Sequence, residues 1–201
     1  MGRVSLRRII GVAGKICSGK SAFTTMLRDC SFHEIDVDAV GHEVVQEQID
    51  AIEAAFGAAV VTGDRRVDRK ALGRIVFADA AALRKLEQIV HPRMVEAVHS
   101  RIRGSDPEAR IVVNAALLFH MGLHTLCDHV VVVRAWFPVR LIRSLRRDGH
   151  GLKATIARFA RQRSLSLWGE TVDITIVRNS TSRRALQRRV AAFLRDQEIE
   201  C

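Results

Sequence analysis

The chain has 201 residues, enough for one mid-sized domain or one core with an inserted subdomain. Hydrophobic residues make up 48% and charged residues 27%, which excludes disordered, collagen-like and coiled-coil classes for the chain as a whole. Lys and Arg number 32 against 22 Asp and Glu, a formal net charge of +10, so the surface favours nucleic acid, acidic lipid or phosphorylated small molecules.

Near the start, Arg7-Arg8 before Ile9-Ile10 resembles an export signal, but Gly11, Gly14 and Lys15 break the apolar run too early. Leu6 stands where a myristoylation site needs a hydroxyl, and no run approaches the roughly 20 apolar residues of a membrane span. A soluble protein is expected.

Ile9–Ala13 is the first of five short apolar runs bounded by turn residues. The others are Phe32–Ile35, Ile111–Ala115, Val130–Val133 and Ile174–Val177. They read as strands of a parallel sheet covered on both faces. After Gly19, the residues Phe23, Met26 and Leu27 recur at helical spacing. From Val37 to Arg103 the pattern is helical throughout, over Ala39–Gln46, Ile49–Phe56, Ala71–Phe77 and Ala81–Val90. Pro92 fits the first turn of a further helix striped by Met94, Val95, Val98 and Ile102. Arginines crowd residues 140–163, interrupted by a turn signal at Asp148-Gly149-His150-Gly151. Leu186, Val190, Phe193 and Leu194 mark a last helix, with Ser180 or Thr181 as its N-cap. Strands alternating with helices predict an α/β fold.

Gly14-Lys15-Ile16-Cys17-Ser18-Gly19-Lys20-Ser21 matches the phosphate-loop pattern in full, between a predicted strand and a predicted helix. Its glycines let backbone N–H groups curl toward phosphate oxygens, and the helix behind adds its positive end. In such a loop Lys20 neutralises the β- and γ-phosphates of ATP, and Ser21 ligates Mg²⁺. Ala22 follows directly. Asp36 and Asp38, two apart at a strand end, are expected to share a face beside the loop. One would take a proton from a substrate hydroxyl and the other support Mg²⁺ or the site's hydrogen bonds; the plainer alternative is a pair of helix caps. Arg143 and Arg147 share a helix face and could hold a triphosphate. His120, His124, Cys127 and His129 resemble a metal set but lack a second ligand cluster, so ordinary histidines are expected.

The cysteines at 17, 30, 127 and 201 show no C-x-x-C spacing, and a reduced cytoplasmic setting is expected. Cys17 has two readings, a thiolate favoured by the loop's positive potential or a small inert replacement for glycine.

Together these pieces resemble the dephospho-coenzyme A kinase family. The resemblance takes in the phosphate loop, Asp36-Val37-Asp38, His42-Glu43-Val44-Val45, Phe56-Gly57 and Val67-Asp68-Arg69. It continues through Leu72, Val76-Phe77, Leu86-Glu87, His91-Pro92, Leu117-Leu118-Phe119, Arg143, Arg147-Asp148, Gln162, Asp173 and Asn179.

The resemblance implies a P-loop, nucleoside-monophosphate-kinase-like fold. A five-stranded parallel core over about residues 1–38, 104–138 and 165–201 would carry a helical substrate-binding insertion over 39–103 and a lid over 139–164. It implies ATP-dependent phosphorylation of the ribose 3′-hydroxyl of dephospho-coenzyme A. Asp38 matches the catalytic base. Lys20 and Arg143 assist, residues 14–22 with Arg143, Arg147 and Asn179 bind ATP, and Asp38 and His91 bind the acceptor. Ser21 holds Mg²⁺, with Asp36 as a second candidate. Lys15 and Cys17 stand where glycines are common, and Asn114, Ala116 and His120 replace a usual Asp, Pro and Glu. Rival readings are a P-loop kinase for a nucleoside or sugar hydroxyl, and a basic nucleic-acid-binding protein. With aromatics at 5% and no Tyr, stacking platforms for nucleic acid are scarce. No membrane partner is expected, and the oligomeric state is open.

Overall fold

The computed structural model describes residues 7–148, 155, 156, 159 and 172–201. The chain divides into two compact units, Met1–Asp36 with Ser105–Cys201, and Val37–Gly104.

The first unit is built on five strands: β1 (Arg8–Ala13), β2 (Phe32–Asp36), β3 (Arg110–Asn114), β4 (His129–Arg134) and β5 (Asp173–Arg178). They pair in parallel in the order β2-β3-β1-β4-β5. The central strands carry Ile10, Val12, Ile111, Val112, Val113 and Val130 to Val133, all buried. Runs without polar alternation are what a sheet covered on both faces requires. Helices α1 (Lys20–Arg28), α6 (Phe137–Asp148) and α7 (Arg183–Asp196) belong to this unit. Phe23, Met26 and Leu27 of α1 and Leu186, Val190, Phe193 and Leu194 of α7 join Ile10, Val12, Val112, Val131 and Val133 in one buried cluster. Each such side chain contributes roughly 1.5–3 kcal/mol by leaving water.

The second unit comprises α2 (Val37–Glu47), α3 (Ile49–Phe56), α4 (Arg69–Ala78) and α5 (Ala80–Arg103). A short 3₁₀ turn spans Ala58–Val60, and Val61 and Val67 form an isolated antiparallel bridge. The core of this unit holds Val40, Val44, Ile52, Val60, Leu72, Val76, Val90 and Val98. Asp68 caps α4 by accepting from the N–H groups of Lys70 and Ala71, bonds that hold its carboxyl below the ordinary range. Arg65 bonds to both Asp50 and Glu53.

The structure differs from the sequence-based expectations at four places. Pro92 lies inside one continuous 24-residue helix, α5, and does not start a second one. Its apolar stripe runs through the ring, and only the bond that the missing N–H would make to Gln88 is lost. The N-cap of α7 is Ser182, whose hydroxyl accepts from Ala185 N at 3.3 Å, while Ser180 Oγ accepts instead from Trp136 N. Asp36 ends β2 and Asp38 already belongs to the first turn of α2, so the two do not share a strand face. Finally, Cys30 and Cys201 are disulfide-bonded, with Cα atoms 4.5 Å apart at a sequence separation of 171, in place of the reduced thiols that the spacing predicts. The end of α1 and the segment after α7 meet there, a proximity that residue spacing does not reveal. The expected lid turn, with Gly149, Gly151, Lys153, Arg158, Arg161, Gln162 and Arg163, lies outside the described residues.

Closing so long a loop constrains the unfolded chain, an effect of about 2–4 kcal/mol. Reduction should therefore lower the melting temperature by roughly 4–10 °C. A Cys201→Ser variant should melt near the reduced value and ignore dithiothreitol. Equal melting curves for oxidised and reduced wild type would contradict the bond.

Candidate phosphate-binding site

The loop between β1 and α1 begins where the sheet leaves no room. A Cβ at Gly14 would lie 2.5 Å from the carbonyl oxygen of Val133 and 2.6 Å from Ser18 Oγ. At the far end Gly19 has φ +98°, and a Cβ there would lie 1.9 Å from Asn179 Nδ2. Both glycines are thus required by close approach, and Gly19 also by its left-handed backbone. Inside the loop Ser18 N donates to Lys15 O at 3.0 Å, and Phe23 N to Gly19 O at 3.1 Å.

Three side chains from other elements seize the loop by its oxygens. Asn179, directly after β5, donates from Nδ2 to Ser18 O at 2.9 Å, and its own N–H donates to Arg134 O at 2.6 Å. Arg143 of α6 reaches Cys17 O at 3.5 Å and Ser18 O at 3.4 Å through Nη1. Its Nη2 reaches Asn179 Oδ1 at 3.5 Å. Arg140, one turn earlier, donates from Nε to Ile16 O at 2.8 Å. The peptide bonds are trans, so each plane that turns its C=O toward these donors turns the next N–H the opposite way. The N–H groups of Cys17 and Gly19 accordingly face away from α6. Loop amides on one side and a helix N-terminus behind them make an anion cradle. Ser18 Oγ, 1% exposed, has no hydrogen-bond partner among the described residues.

The structure thus brings Gly14 to Ser21, Arg143 and Asn179 together. Lys20 and Ser21 open α1, with Lys20 half-buried and Ser21 exposed, and Ala22 follows, exposed. Arg147 is exposed on α6, one turn beyond Arg143. Asp36 is exposed at the carboxyl end of β2. Asp38 and His91 belong to the helical unit, on α2 and α5. Arg140 is the functional residue that the sequence reading leaves unassigned. Its signal is the i, i+3, i+7 spacing of Arg140, Arg143 and Arg147 along one helix.

Beside the loop, Asn114 ends β3 in register with Asp36 of β2 and Val12 of β1. Its Nδ2 donates to Glu34 Oε1 at 2.9 Å, and Arg28 lies 3.5 Å from Glu34 Oε2. Asn114 Oδ1 is buried with no partner among the described residues. Of the other candidates, His124 packs on Phe119 at 5.2 Å, and Cys127 Sγ donates to Leu123 O at 3.4 Å. Burial pushes the Cys127 thiol up to about 12, with Asp128 adding to it. His129 Nε2 meets Thr175 Oγ1 at 2.8 Å, and burial lowers its pKa against the opposing pull of Asp173. No group of three or more His, Cys, Asp or Glu among the described residues is arranged to hold a metal. No helix among them is long and apolar enough to cross a membrane.

The sequence model of the dephospho-CoA kinase family matches residues 8–184, a span holding the loop, α6 and Asn179. The chain belongs to the dephospho-CoA kinase family. A dephospho-CoA kinase of Moorella thermoacetica is 42% identical over 160 residues, 77% of this chain and 76% of its own. One from Anaeromyxobacter dehalogenans is 36% identical over 194 residues, 94% of this chain and 92% of its own. The crystal structure of TT1252 from Thermus thermophilus superposes with a TM-score of 0.79 at 28% identity, covering 95% of this chain and 98% of that one. The fold is accordingly that of a P-loop kinase with a five-stranded parallel sheet.

The crowding at Gly19 yields a direct test. A Gly19→Ala variant must move Asn179 and adopt a backbone that alanine resists. It should weaken ATP binding by at least tenfold, measured by calorimetry, and lower the melting temperature by a few degrees. An unchanged dissociation constant would contradict the packing described.

Proposed function

We propose that the protein transfers the γ-phosphoryl group of ATP to the ribose 3′-hydroxyl of dephospho-coenzyme A, giving coenzyme A and ADP. The observation that carries this reading is the phosphate loop clamped by Arg143 and Asn179 inside a family match that runs from β1 into α7. The phosphates of ATP lie against the loop amides and Lys20, with Arg143 and Arg147 adding positive charge. Asp38 takes the proton of the 3′-hydroxyl as that oxygen bonds to phosphorus and the bond to the ADP oxygen breaks. The helical unit, with Asp38 and His91, receives the acceptor.

The residues present fit Mg²⁺. Ser21 Oγ and the Asp36 carboxylate are hard oxygen donors of the kind it takes beside phosphates, and Asn114 Oδ1, at the same end of the sheet, is a further acceptor with no partner among the described residues. Bound there, the ion neutralises charge on the β- and γ-phosphates. Family membership supports a cytoplasmic location. The basic balance of the chain suits two polyanionic substrates.

A panel of dephospho-coenzyme A, nucleosides and sugars with ATP tests the acceptor. Turnover should be confined to dephospho-coenzyme A, and preference for a nucleoside or sugar would overturn the assignment. Asp38→Asn should lower kcat by roughly 10²–10⁴ with ATP affinity little changed. A crippled Asp36→Asn beside an active Asp38→Asn would transfer the base role to Asp36. Lys20→Ala should abolish transfer while the melting temperature stays near wild type.

A further inference from the structure

Cys17 is a non-glycine residue with φ +58°, in the left-handed region that a Cβ disfavours, at a loop position suited to glycine. Something must hold that turn. The peptide plane preceding Cys17 ends in Ile16 O, and Arg140 Nε donates to it at 2.8 Å. The guanidinium carbon of Arg140 sits 4.7 Å over the ring of Phe159, which is 6% exposed and meets Phe137 edge-on at 5.7 Å. A guanidinium stacked on a fixed ring has its in-plane donors aimed before any ligand arrives. Burial lowers the Arg140 pKa.

We propose that Arg140 is a positioning residue for the phosphate loop, holding the left-handed turn at Cys17 and itself aimed by the ring of Phe159. Arg140 acts through the backbone, not on the substrate. A loop that loses it spends less time in the phosphate-binding shape, and apparent affinity falls with that fraction. The effect belongs to nucleotide binding, so it rests on the loop reading alone and not on the identity of the acceptor.

The test is a double-mutant cycle on ATP affinity, read by calorimetry with the full chain. Arg140→Ala should raise the ATP dissociation constant about tenfold, and kcat at saturating ATP should fall by less than threefold. Glycine adopts the turn at position 17 without a Cβ penalty, so in the Cys17→Gly background the same substitution should cost no more than threefold. Arg140→Lys keeps the charge without the flat donor and should behave like Arg140→Ala. Phe159→Leu leaves the hydrogen bond and removes the ring beneath it, and should weaken ATP binding about threefold in the wild-type background only. If Arg140→Ala is unfolded by circular dichroism, the Lys and Phe159 variants carry the same comparison. The proposal is overturned if Arg140→Ala stays within twofold of wild type, if its cost is equal in both backgrounds, or if Lys restores full affinity. Wild-type protein that binds ATP but phosphorylates no dephospho-coenzyme A would overturn the acceptor assignment and leave this cycle standing.

Discussion

The site depends on the direction in which three carbonyls point. If the oxygens of Ile16, Cys17 and Ser18 faced the space above the sheet, the loop would repel phosphate. They face Arg140, Arg143 and Asn179 instead, and the bonds to Ile16 O and Ser18 O turn the N–H groups of Cys17 and Gly19 the opposite way, while Ser18 N–H stays inside the loop on Lys15 O. Backbone polar groups near a protein interior need partners, so the donors on α6 and after β5 are as necessary to the cradle as its glycines. The sheet order supplies them. Because β1 lies beside β4 and β4 beside β5, the loop, the start of α6 and Asn179 all emerge at one end of neighbouring strands.

That arrangement explains which parts were legible in the sequence. Strands such as Val130–Val133 announce themselves because a strand buried on both faces must be apolar at every position. The loop announces itself because its glycines answer to local geometry. Arg143 was marked by the helical turn it shares with Arg147, whereas Asn179 came only through the resemblance, since nothing local marks a side chain whose partner lies 161 residues away. Arg140 was hidden among many arginines, most of which solvate helix faces. Its role follows from Cys17 and Phe159, two residues that no periodicity connects to it.

The acidic pair shows a local rule failing for a local reason. Alternation along a strand puts residues two apart on one side, but only while the strand continues. Here β2 stops at Asp36 and α2 starts at Val37 with no loop between them. Asp38 therefore belongs to the first turn of a helix and not to the strand. The disulfide failed differently. Cys30 follows α1 and Cys201 follows α7, and these helices meet only because both pack on the same buried cluster, with Phe23 and Phe193 rings 6.0 Å apart.

The same end of the sheet carries an electrostatic logic that single motifs do not show. The strands end in Ala13, Asp36, Asn114, Arg134 and Arg178, one carboxylate against two guanidiniums. A second acid at the end of β3 would add negative charge beside the cradle, and Asn114 offers a neutral amide in its place. The carboxylate nearest to it, Glu34, lies further back on β2, bonded to Asn114 Nδ2 and paired with Arg28. Its charge is thus partly neutralised before it reaches the loop. A triphosphate approaching this face meets Lys20, Arg143 and oriented amides, opposed by Asp36 alone among the strand-terminal residues. An ion held at Ser21 and Asp36 would cancel that opposition, so the one acid retained at the strand ends is the one whose repulsion a divalent cation would turn into attraction.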